Sequence, residues 1–101
     1  MEKILETINK VKSNKLMKKS SENFVFKLDE SNSDKVDVSF DMVSDYNSGK
    51  VNVSIEKFDE SSVLCHVHTS FKDYSSTVFN DHLYDYISAV AADTEQNLWN
   101  V

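Results

Sequence analysis

The chain of 101 residues contains no arginine, no proline, one glycine and one cysteine. Arginine is the preferred side chain for binding phosphates and guanine edges, and the net charge is -6 at pH 7, so tight direct binding of nucleic acid is not expected. A single cysteine cannot form an internal disulfide, which fits a reducing compartment and predicts a cytoplasmic location. The near absence of glycine excludes a glycine-rich phosphate-binding loop.

Long apolar runs are also absent, and no segment approaches the roughly 18 apolar residues of a membrane span. The first residues, MEKILETINKVK, are charged throughout and lack the apolar centre of a signal peptide. Hydrophobic residues make up 40% of the chain and charged residues 28%, which is typical of a chain that folds. The length predicts one domain over residues 1–101, with no membrane partner and no cofactor.

The charges are distributed unevenly along the chain. Residues 1–20 contain six lysines and two glutamates, whereas residues 21–101 contain five lysines and fifteen acidic residues. One interpretation is a lysine-rich solvated helix face beside an ordinary acidic domain. The other is a dipolar surface that steers a basic partner toward the main body of the protein.

Helical periodicity appears at both ends of the chain. Ile4, Ile8 and Val11 predict an amphipathic helix over residues 2–18, and a second apolar stripe predicts a helix over residues 76–99. The stripe of the second helix consists of Phe79, Leu83, Tyr86, Ile87, Val90 and Leu98. At 1.5 Å per residue that helix would be about 35 Å long, so we expect it to overhang a sheet whose strands span about 26 Å.

Between the helices, four segments alternate apolar and polar residues with the period of a β-strand. The apolar positions are Phe24, Phe26 and Leu28; Val36, Val38, Phe40 and Met42; Val51, Val53 and Ile55; and Val63, Cys65 and Val67. Short polar turns join these segments, and Gly49 lies in one of them, where a positive φ is expected. The predicted fold is α+β: an N-terminal helix, a four-stranded antiparallel meander and a long C-terminal helix, with both helices on the apolar sheet face.

Two histidines are the best candidates for a metal site. His66 and His68 leave one face of a strand and could chelate zinc if a third ligand were nearby, although such pairs are more often surface residues. The simplest hairpin registers place Asn52 and Asp41 near His66. Cys65 points to the other face and is interpreted as a small, inert core residue. No acid/base pair is recognisable, so no catalytic residue is assigned and an enzyme is not expected.

Two acidic surfaces are candidates for binding a protein partner. The outer stripe of the last helix contains Asp81, Tyr84, Asp85, Ser88, Glu95 and Trp99. The polar sheet face contains Asp37, Asp41 and Glu56. Simple solvation explains the acids, but exposed aromatic residues are enriched at interfaces, which favours the helix stripe. In the alternative, Trp99 folds back onto the N-terminal helix.

In size, charge and predicted layout, the chain resembles the small acidic inhibitors that phages use against bacterial defence enzymes, including anti-CRISPR proteins. It also resembles the acidic, dimeric chaperones of type III secretion. The first resemblance implies an inhibitor that occupies the nucleic-acid-binding site of a host enzyme with its carboxylates. The second implies a chaperone or, as a similar acidic binder, a toxin-immunity protein, while His66 and His68 leave a metal-binding enzyme or sensor as a third alternative. A homodimer is also expected, because the overhanging helix ends in Leu98, Trp99 and Val101.

Overall fold

The computed structural model describes residues 2–13, 25–28, 34–43 and 47–99. Helix α1 spans Glu2–Lys12 and helix α2 spans Leu83–Trp99, with a short 3-10 turn at Asn80–His82 before α2. The strands are β1 (Val25–Leu28), β2 (Lys35–Val43), β3 (Ser48–Lys57), β4 (Ser62–Thr69) and β5 (Asp73–Phe79). Three predicted features lie outside the described residues: the continuation of the first helix to residue 18, the apolar position Phe24 and the C-terminal residue Val101. The side chains of β1 also lie outside the described part of the structure.

The strands form one antiparallel meander in the order β1-β2-β3-β4-β5. The register aligns residues of equal polarity: Val38 lies opposite Val53, which in turn lies opposite Val67. Because side chains alternate along each strand, this register gathers the apolar residues of β2, β3 and β4 on one face. The α+β fold, the four predicted strands and the long C-terminal helix are therefore confirmed.

Both helices cover the apolar face of the sheet, as predicted. Ile4, Ile8 and Val11 of α1 are buried in the same core as Leu83 and Ile87 of α2. These spacings of three and four residues place each set on one side of its helix. The opposite sheet face, called here the open face, carries the polar residues of the alternation and has no helix over it within the described part of the chain.

A fifth strand occupies residues that were predicted to begin the last helix. Residues 76–79 belong to β5, which pairs with β4 over seven residues. The turn before β5 explains this: the Thr69 N–H donates to the Lys72 carbonyl at 2.8 Å, and the Thr69 hydroxyl accepts from the N–H groups of Phe71 and Lys72. This closed hairpin directs the next residues along β4, so α2 begins only at Leu83.

The shorter helix changes the expected dimensions. Helix α2 has 17 residues and is about 25 Å long, whereas the ten residues of β3 span about 33 Å. The helix therefore does not outrun the sheet, and Leu98 is buried in the core. The overhang on which the expected dimer depended is absent, although Trp99 remains exposed.

Gly49 is not a turn residue. It lies within β3, opposite Met42, and its φ is not positive. A Cβ atom at this position would meet Leu98 Cδ2 at 3.2 Å and a ring carbon of Phe71 at 3.5 Å. The glycine is therefore explained by the close approach of α2 and the β4–β5 turn to the strand.

We expect the substitution Gly49→Val to destabilise the fold by about 1–3 kcal/mol, because two branches beyond Cβ would be forced against Leu98, Phe71 and Thr94. The matched control is Ser48→Val, which adds a similar side chain at an exposed position of the same strand. Thermal unfolding followed by circular dichroism measures the difference. Equal melting temperatures for the two variants would contradict the packing account.

Candidate functional site

The exposed side of the C-terminal helix is the first candidate surface. Leu83, Ile87 and Val90 point into the core, so residues on the opposite side of α2 face solvent. The exposed residues recur every three or four positions, and together they form what is called here the helix face. They are Asp81, Asp85, Ala89, Ala92, Gln96 and Trp99.

Trp99 lies at the C-terminal end of the helix face with 56% of its surface exposed. It does not fold back into a buried position on α1. Together with Ala92, Glu95 and Gln96 it lines a shallow depression of about 340 Å³. Exposed tryptophan side chains are enriched among the residues that anchor interfaces.

Three predicted partner-binding residues are less accessible than the sequence pattern indicated. Tyr84, Ser88 and Glu95 are half-buried, on the flanks of the helix face. Tyr84 packs against the core and lines the cleft between the helices with Lys3 and Ile4. The exposed predicted residues of this helix are thus Asp81, Asp85 and Trp99.

The charged residues of the helix face are both acidic. Residues 80–99 contain four acidic residues and no lysine. Asp93 forms an ion pair with Lys72, with 2.9 Å between Oδ2 and Nζ. Asp81 and Asp85, in contrast, form no ion pair within the described ranges of the chain. Their carboxylates are therefore available to a basic partner.

The open face is the second candidate surface. It differs from the helix face because its acidic residues have polar or basic neighbours. The Ser54 hydroxyl donates to Asp37 Oδ1 at 2.6 Å. Asp41 lies opposite Lys50, and Glu56 lies opposite Lys35. The three predicted acids of this surface are thus interleaved with lysines, which makes the surface less uniformly acidic than the helix face.

The two histidines contact a residue that the sequence pattern did not reveal. His66 Nε2 lies 2.9 Å from Asp73 Oδ1, and His68 Nδ1 lies 3.5 Å from Asp73 Oδ2. His66 Nδ1 is also 2.7 Å from the Ser75 hydroxyl. Asp73 and Ser75 belong to β5, so the histidine contacts could only have been found by recognising the fifth strand.

The predicted neighbours of His66 are corrected by the observed register. Ser54 lies opposite His66, whereas Asn52 lies opposite His68 and Asp41 lies opposite Lys50, on the far side of β3 from β4. Within the part of the chain that the structure describes, no group of three or more His, Cys, Asp or Glu residues is arranged to hold a metal ion. The histidine contacts form a surface hydrogen-bond network that links β4 to β5.

Cys65 is buried in the core, as predicted from its place in the alternation. Burial raises the pKa of its thiol from 9.0 to about 12, because the low-dielectric interior disfavours the thiolate. The thiolate is the reactive form, so this cysteine is inert in the folded protein. Catalysis through Cys65 has no support from its surroundings.

We expect Cys65 to resist thiol reagents at neutral pH until the protein is unfolded. The raised pKa also predicts a pH dependence of stability: above pH 9.0 the unfolded chain loses the thiol proton while the folded chain keeps it, so the free energy of unfolding falls as the pH rises. Between pH 9 and 10, the fall in the free energy of unfolding is due mainly to this thiol. Tyr74 and Tyr86 contribute mainly at higher pH, because their ordinary pKa is 10.0 and burial raises it further.

Denaturant unfolding at several pH values measures this slope. The control is Cys65→Ala, which should be less stable at neutral pH because it leaves a small cavity, but should show a shallower fall above pH 9. Rapid labelling of the folded protein, or identical slopes in the two proteins, would contradict the burial of the thiol.

Neither helix in the described segments is long and apolar enough to cross a membrane. No protein family, curated protein or solved structure matches this chain in the comparisons made.

Proposed function

We propose that this protein binds a partner protein with a basic surface, and that it inhibits the partner by occupying a nucleic-acid-binding site. The observation that supports this proposal is the helix face, where Asp81 and Asp85 are exposed and have no ion pair with any other described residue, and Trp99 is exposed at the other end. Carboxylates held on a rigid helix can bind lysine and arginine side chains that normally bind phosphates.

The dimensions of the helix face suit a protein partner. Trp99 lies fourteen positions after Asp85, which corresponds to about 21 Å along the axis of α2. Ala89 and Ala92 lie between them, and their small side chains allow a partner to approach the helix closely. The acidic end supplies long-range attraction and the indole supplies apolar contact area, a combination that favours both fast association and a stable complex.

The finer form of the proposal is an inhibitor that a phage directs against a bacterial defence enzyme. It is supported by the small size and acidic charge of the chain, which are shared with anti-CRISPR proteins. This mode of inhibition requires a rigid acidic surface, and it requires no cofactor. The open face is the second choice for the contact surface, because Lys35 and Lys50 lie opposite its acidic residues and reduce its negative charge.

We expect the double substitution Asp81→Lys/Asp85→Lys to weaken partner binding and reduce its salt dependence, while leaving the melting temperature nearly unchanged. Immobilised protein is exposed to purified nucleic-acid-binding enzymes of bacterial defence systems, and binding is measured with and without competing duplex DNA. A partner that fits the proposal is retained by the natural chain and displaced by the DNA. Trp99→Ala should weaken the same partner by increasing its dissociation rate.

The matched control is Glu56→Lys/Glu60→Lys, which changes the net charge equally at exposed positions outside the helix face. If this control loses the partner and the helix-face variant keeps it, the contact surface lies around Glu56 on the open face and Glu60 in the turn after β3. If both variants keep the partner and its salt dependence, binding through carboxylates is wrong. Capture of a toxin or a secreted protein that DNA does not displace would favour an immunity protein or a chaperone instead.

A further inference from the structure

The outer edge of β5 is a second surface with a defined chemistry, and it adjoins the helix face at Asp85. In the five-stranded sheet β5 is a terminal strand, and among the described residues it pairs only with β4. Its seven residues pair continuously, without a bulge, and its only charged residue is the first, Asp73. Edge strands are usually protected by lysine, proline or a bulge, and β5 has none of these.

The hydrogen-bond pattern of the hairpin shows which backbone groups β5 offers at this edge. The Thr69 N–H donates to the Lys72 carbonyl at 2.8 Å, and the Asn80 N–H donates to the Ser61 carbonyl at 2.9 Å. Residues 72 and 80 therefore point toward β4, and in an antiparallel pair this direction alternates. The backbone N–H and C=O groups of Asp73, Ser75, Thr77 and Phe79 consequently point outward.

We propose that β5 pairs with β5 of a second copy of this chain, in an antiparallel dimer centred on Ser76. In this register Ser75 lies opposite Thr77 of the other copy and Asp73 lies opposite Phe79, so all four outward-pointing residues form hydrogen-bonded pairs. Ser76 lies opposite its own counterpart at the two-fold axis, where a small side chain is needed because non-hydrogen-bonded pairs approach closely.

The side chains of β5 are compatible with this pairing. Residues 74–79 are uncharged, and the two Asp73 carboxylates would lie at opposite ends of the paired strands. Six residues of strand separate them by about 20 Å, which exceeds the Debye length of about 8 Å at physiological salt. The net charge of -6 per chain therefore does not concentrate at the dimer contact.

A cavity beside β5 identifies a place for an aromatic side chain of the second copy. It has a volume of about 570 Å³, and its lining includes Ser76 and Val78 of β5, Tyr86 of α2 and Asp85 of the helix face. In the proposed register Tyr74 of the other copy lies opposite Val78, on the sheet face that carries the helices. Tyr74 is half-buried in one copy, and the pairing would bury it further against this cavity.

The solution mass of the full-length chain, measured by light scattering over a micromolar concentration series, tests this inference. We expect the mass to rise from 11.6 kDa toward twice that value. Thr77→Pro removes one outward N–H from each copy and should weaken dimerisation about tenfold or more, whereas Thr77→Val keeps the N–H and should have little effect. A mass of 11.6 kDa throughout the series, or an equal dimer in the proline variant, would overturn the proposal.

Two single cysteine substitutions test the register of the proposed dimer. They also test whether β5 pairs with β5 if the Thr77→Pro variant does not fold. Both variants are made in a Cys65→Ala background, because the natural thiol of Cys65 lies directly opposite Ser76 in the same chain and could pair with a new thiol there. In this background Ser76→Cys places two thiols across the two-fold axis, at a Cα separation suited to a disulfide, and mild oxidation should link two copies. Ser75→Cys is the control, because its counterpart is offset along the strand and points to the open face. Linking of Ser75→Cys as fast as Ser76→Cys, or no linking of Ser76→Cys, would contradict this register. Neither variant alters a residue of the helix face, and linking between copies is measured without the inhibited partner, so failure of this proposal is distinguishable from failure of the proposed function.

Discussion

The one-sided alternation of the central strands is the constraint on which the rest of the structure depends. Val38, Val53 and Val67 meet across three neighbouring strands, so a continuous apolar surface forms on one face of the sheet and must be removed from water. In the part of the chain that the structure describes, α1 and α2 cover that surface. The position of α2, and therefore the direction in which its acidic side points, follows from the need to bury Leu83, Ile87 and Leu98.

The same constraint separates the two acidic surfaces. On the open face, cross-strand neighbours are fixed by register, and the sequence places lysine or a hydroxyl next to each predicted acid. In the 3-10 turn and α2, in contrast, residues 80–99 contain no lysine beside their acids. The structure thus contains a balanced polar face and an acidic helix, and we therefore propose the helix as the surface that attracts a basic partner.

The regular parts of the fold could be predicted from the sequence because they depend on periodicity. Val36, Val38 and Phe40 alternate without interruption, and Ile4, Ile8 and Val11 fit only a helix. Strand β5 could not be found in this way, because Ser75, Ser76 and Thr77 are polar on both faces and the decisive signal is the side-chain bond pattern at Thr69.

Gly49 and the two histidines likewise could not be interpreted correctly from the sequence pattern alone. The glycine pattern suggested a turn, but its cause is the approach of Leu98, which is distant in sequence. The partner of His66 and His68 was missed because Asp73 becomes their neighbour only through the fifth strand. Of the candidate site, the outward direction of Asp81, Asp85 and Trp99 followed from helical phase, whereas the partial burial of Tyr84 depends on where α1 packs.

The environment of Trp99 is the most direct measure of the central claim, since it is the only tryptophan in the chain. Labelling with fluorotryptophan gives a single fluorine NMR signal, whose solvent isotope shift reports exposure of the indole. The account predicts the shift of an exposed indole in the protein alone, and loss of that shift when a DNA-displaceable partner is bound. An indole already shielded from solvent in the protein alone, or one that stays equally exposed in the complex, would contradict binding through the helix face.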